Sequence, residues 1–118
     1  MLQAMPVQNC MHFLMPISLD DWKSYDVPGV VGILRKGDSG QYELVDAFDC
    51  DQIPGAKELT LHEKYGQWLN AAGSQELIRF DVFLMPQADK TRRNDVIALI
   101  ERSCGVDLPS RSAYVNAA

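Results

Sequence analysis

No stretch of this sequence approaches the roughly 18 to 20 consecutive apolar residues that a membrane-spanning helix requires, so no membrane partner is expected. Cysteine is sparse as well: Cys10, Cys50 and Cys104 are odd in number and widely separated, with no Cys-x-x-Cys pair. A secreted disulfide scaffold would carry an even and denser set, and reduced thiols in the cytoplasm are the simpler expectation. Basic residues are outnumbered, 11 against 16 acids, for a net charge of −5. Non-specific nucleic-acid binding needs clustered Lys and Arg to displace counterions, so this balance opposes it, and it equally opposes attachment to anionic membranes. The opening residues Met1 to Pro6 lack the basic region and apolar run of a signal peptide. Also missing are a Ser-centred nucleophile elbow, a phosphate-cradling glycine loop and a dinucleotide fingerprint, so no cofactor is expected.

What is present describes one domain. The 118 residues are 47% apolar and 23% charged, enough to bury a core without metal or disulfide. Residues 1–27 read as an N-terminal extension with a short extended segment (Met11 to Met15) and a helical turn capped by Ser18, running through Asp20, Trp22 and Tyr25. Residues 28–105 form the core, and 106–118 a loose tail. Gly29–Arg35 and Tyr42–Phe48, rich in β-formers and joined across Gly37-Asp38-Ser39-Gly40, predict a hairpin. Thr60-Leu61-His62-Glu63 has the form of a capping box, and Leu61, Tyr65, Trp68, Leu69 and Ala72 fall on one helical face, predicting a helix over 60–72. Leu77–Leu84 alternates as a strand, with Ile78, Phe80, Val82 and Leu84 on one face and Leu77, Arg79, Asp81 and Phe83 on the other. A last helix runs from Asp89 to Cys104 with an apolar stripe of Val96, Ile97, Leu99, Ile100 and Cys104. The order β-β-α-β-α predicts an α+β fold, a small three-stranded antiparallel sheet packed against helices.

This order, together with Pro28-Gly29-Val30-Val31 on the first strand and Val45-Asp46-Ala47 on the second, followed by Phe48 to Ile53, resembles the GIY-YIG nuclease family over residues 26–104. The resemblance implies that fold and a nuclease site in which two tyrosines orient water, a helix arginine stabilises phosphate and a later glutamate holds a divalent metal. This chain departs at each part. Val31 stands at the first tyrosine position and Val45 or a neighbour at the second, with Lys57 or Lys64 near the arginine, and Asn94 and Asp95 near the glutamate. Lysine lacks the bidentate fork of arginine, and phosphoryl transfer depends on positioned charge and metal. A degenerate, non-catalytic descendant is therefore the expectation, acting as a binding or protein-interaction module.

Several clusters carry the remaining chemistry. Asp46, Asp49 and Asp51, with Asp95 further on, form a candidate acidic site that would hold Mg²⁺ or Ca²⁺ in a divergent metal-dependent nuclease. Solvated turn acids explain the same residues. Cys10, His12 and His62 with Cys50 or Cys104 lack the close paired spacing of a zinc site, so no metal site is assigned. Cys50 lies between two aspartates whose charge should raise its thiol pKa. His62 is expected on an exposed helix face. Lys90, Arg92 and Arg93 are expected to be solvated, although they open a helix where the macrodipole disfavours cations. With Leu77, Arg79 and Phe83 they form the candidate interaction surface, for a homodimer or another protein partner. A small-ligand pocket at Tyr65, Trp68 and Phe80 is a further reading.

Overall fold

The structure is a computed structural model that describes residues 16–38 and 42–104. It has the expected α+β form. Strands β1 (Gly29–Lys36), β2 (Tyr42–Cys50) and β3 (Ile78–Leu84) make one antiparallel sheet in the order β2-β1-β3. Helices α1 (Ala56–Thr60) and α2 (Tyr65–Ala72) lie between β2 and β3 in sequence, and α3 (Lys90–Cys104) follows β3. No helix among the described residues is long and apolar enough to cross a membrane. The Met11–Met15 segment, the Ser39-Gly40 part of the hairpin turn and the 106–118 tail lie outside the described residues.

The sheet is covered on both faces, which explains why β1 reads as an almost continuous apolar run rather than an alternating one. As the central strand it sends Val30 and Leu34 to one face and Val31 and Ile33 to the other, all fully buried. On the first face Val30 and Leu34 meet Leu44, Ala47, Ile97 and Ile100, the last two from α3. On the second, Val31 and Ile33 meet Leu59 of α1, Trp68 and Ala72 of α2, Ile78 and Phe80 of β3, and Trp22. Trp22 is anchored there by its indole N–H, which donates to Pro54 O at 2.7 Å.

An irregularity in β2 decides which way its acidic residues face. Ile33 pairs with Asp46 but Leu34 pairs with Leu44, so Val45 is an extra residue, a β-bulge. Leu44 therefore faces α3, Val45 and Asp46 both turn toward α2, and the alternation resumes with Ala47 toward α3 and Phe48 toward α2. Gly29 has a separate reason for lacking a side chain. A Cβ there would lie 2.5 Å from the backbone oxygen of Phe83, so β3 approaches β1 too closely for any other residue.

Several local expectations are corrected. The predicted helix over 60–72 begins only at Tyr65, as α2; residues 61–64 are a turn, Thr60 closes the preceding α1, and the capping box is not used. Thr60 is the last residue of α1 and its hydroxyl donates back to Lys57 O at 2.7 Å, a bond a mid-chain Thr makes readily. Leu61, assigned to the buried face, is 73% exposed in the turn that follows. The turn near the N-terminus stops at Asp21 as a single 3-10 turn (Leu19–Asp21), because Trp22 is drawn into the core and Tyr25 forms a bridge with Ile53. On α3 Ile97 and Ile100 are buried and Val96 packs half-buried beside them, whereas Leu99 is exposed; the Cys104 side chain lies outside the described residues.

Candidate functional site

Of the four aspartates expected to share a site, only Asp49 and Asp51 come together, on Arg93. Asp46, turned inward by the bulge, is fully buried; it accepts the Trp68 indole N–H at 2.7 Å and the backbone N–H of Ala47 at 2.8 Å. Asp49 lies on the opposite face of the sheet, three residues and one parity change away. There it faces Arg93 of α3, which also holds Asp51. Asp95 stands exposed on α3. Among the described residues no three of His, Cys, Asp and Glu come together so as to hold a metal ion.

Arg93 corrects a second expectation. It is 3% exposed rather than solvated. Its Nη2 donates to Asp51 Oδ1 at 2.6 Å and Asp49 Oδ2 at 3.4 Å, its Nη1 donates to Ala88 O at 2.9 Å, and Nε is buried with no hydrogen-bond partner among the described residues. The Asp51 side chain is 92% exposed, so it caps the guanidinium from the solvent side while Asp49 receives it from within. The cation unfavourably placed in the first turn of α3 is thus compensated by two acids from β2 and the residue after it. Cys50, between them in sequence, has its thiol pushed up to about 12, first by burial and then by the Asp49 charge; its S–H donates to Gly29 O at 3.6 Å. At neutral pH it is an unreactive thiol.

On the α2 face an aromatic group surrounds Asp46. Phe48 stacks on Trp68 at 5.6 Å between ring centres, and His62 lies 4.6 Å from Trp68 and 5.0 Å from Phe48. His62 is therefore half-buried, not exposed as expected. Its Nδ1 accepts the backbone N–H of Lys64, the residue just before α2, at 3.0 Å, a local side-chain to backbone bond in the turn between α1 and α2. That bond places the neutral ring's proton on Nε2. Burial lowers the His62 pKa, and the nearby Glu63 and Asp46 charges oppose the shift in part. Trp68 and Phe80, expected to line a ligand pocket with Tyr65, are fully buried and meet edge to face at 6.5 Å. Tyr65 meets Trp68 edge-on at 6.4 Å.

The candidate interaction surface divides likewise. Arg79 donates to the carbonyls of Glu76 and Ile78, and Leu77, just before β3, lies over Gly73. Helix α3 packs over β2 and β1, and no β3 residue belongs to its core cluster. Phe83 is consequently 39% exposed. It opens onto a groove of about 670 Å³ with Met85, Pro86 and Val96 on its apolar side and Asp89 and Arg92 at its rim. Asp89 caps α3 by accepting the Arg92 backbone N–H at 2.9 Å. Phe83 and Arg92 are brought together here, whereas Arg93 points away to β2 and Leu77 lies at the far end of β3. Compared with known proteins, the chain matches no protein family, no curated protein and no solved structure.

Proposed function

We propose that this chain is a binding or protein-interaction module on a degenerate GIY-YIG-like fold, without nuclease activity. The observation that carries the reading is the dispersal of the carboxylates. Asp46 is bonded to Trp68 on one face of the sheet, Asp49 and Asp51 to Arg93 on the other, and Asp95 stands apart on α3. Metal-dependent phosphoryl transfer needs carboxylates and cations converging on one phosphate. The tyrosine positions support the same reading: Val31 is fully buried in the core and Val45 packs against it, and neither carries a proton to move.

The test is fluorescence anisotropy of a labelled DNA duplex titrated with the protein at low salt with Mg²⁺. A flat trace at high micromolar protein is the expected result. A fall that EDTA prevents would establish cleavage and sink the proposal, whereas a saturating rise would make nucleic acid, not protein, the module's partner.

A further inference from the structure

We infer that the groove between the end of β3 and the start of α3 docks a partner segment that presents an apolar side chain beside a carboxylate. This deepens the interaction-module reading and rests on it. The groove offers two complementary features within one small surface. Phe83, Met85, Pro86 and Val96 provide an apolar floor, with Phe83 exposed because α3 covers only the β1–β2 half of the sheet. Arg92 stands at the rim in the first turn of α3, where the macrodipole disfavours a cation.

Arg92 differs from its neighbour in how that charge is met. Arg93 takes both Asp49 and Asp51, and among the described residues no carboxylate lies within ion-pair distance of the Arg92 guanidinium. Asp89 is engaged with the backbone N–H of Arg92, not its side chain. A guanidinium that no described carboxylate pairs, standing beside exposed apolar surface, complements a segment that carries an apolar side chain and a carboxylate better than one that carries a second cation.

The experiment is an amide-resolved NMR titration of the ¹⁵N-labelled full chain with two probes, N-acetylphenylalanine and its uncharged amide. Shifts are expected at Ala88, Asp89, Arg92 and Val96 with both, and about fivefold weaker binding for the amide, the size an exposed ion pair supplies. Arg92→Gln, which keeps the stem and leaves the fold intact, should bring the carboxylate down to the level of the amide. Equal binding of the two probes, an unchanged preference in Arg92→Gln, or shifts absent from these residues would overturn the inference. Shifts at the same amides on raising protein concentration alone would identify a second copy as the occupant and also overturn it. A negative titration with a flat DNA trace removes only this groove, whereas DNA cleavage removes the interaction-module reading itself.

Discussion

At Asp46 one inserted residue in β2 turns a carboxylate inward, where the Trp68 indole and the Ala47 N–H both donate to it. Removing that carboxylate leaves both buried donors without their acceptor. Asp46→Ala should therefore cost about 3 kcal/mol in a urea titration, and Asp46→Asn, which retains an acceptor oxygen, distinctly less. His62 makes a pH-dependent contribution. Its folded pKa lies below its unfolded value near 6.5, so the stability it supplies is present above that pH and is lost as pH falls through the folded value. Protonation also places a hydrogen on Nδ1, facing the Lys64 N–H it now accepts. Asn at this position can accept the same N–H without titrating. Denaturation midpoints from pH 7.5 to 5.5 should fall more steeply for the native protein than for His62→Asn; parallel curves would refute the assignment. None of this was readable at His62, because Thr60-x-x-Glu63 is a sound local capping signal that the buried Trp68 overrides by fixing where α2 begins.

Between elements, the close approach of β1 to β3 is fixed at Gly29. Gly29→Ala puts a methyl group against the Phe83 carbonyl, and backbone cannot yield as a side chain can; a loss of about 1 to 3 kcal/mol is expected by thermal or urea unfolding. Docking of α3 onto β2 depends on Arg93. Arg93→Ala leaves Asp49 largely buried without its cation and should cost about 3 kcal/mol. Asp51→Ala removes a solvent-exposed partner and should cost less than about 1 kcal/mol. Equal losses for the two variants would contradict the division of roles described. Both outer strands also close their own edges. The Phe80–Ile17 bonds show that even-numbered residues of β3 point their backbone N–H groups outward, and Asp81 accepts that of Val82. Asp46 does the same for Ala47 on β2. The strands and the last helix were legible because alternation and helical spacing are local properties that packing only trims. The bulge at Val45 was not, since nothing in Leu44-Val45-Asp46 marks an extra residue before the pairing with β1 is known.

For the whole molecule, a sheet covered on both faces draws most of its chemistry-bearing side chains into structural work. The acidic group was visible in sequence as Asp46, Asp49 and Asp51, and strand parity alone separates Asp46 from Asp49. The partner of Asp49 and Asp51 was not visible, because Arg93 lies more than forty residues away and reaches β2 only through the packing of α3. The groove at Phe83 was half legible: the second face of β3 was readable, but which part of it α3 leaves open depends on the helix's path across the sheet. Above all, these carboxylates are engaged by the fold itself, Asp46 by Trp68 and Asp49 and Asp51 by Arg93. Thermal unfolding followed by tryptophan fluorescence, with millimolar Mg²⁺ against NaCl of equal ionic strength, tests that role most directly, since any ion bound by the native state alone raises the melting temperature. The same melting temperature in both salts is expected, and a rise with Mg²⁺ that Asp49→Asn abolishes would contradict it.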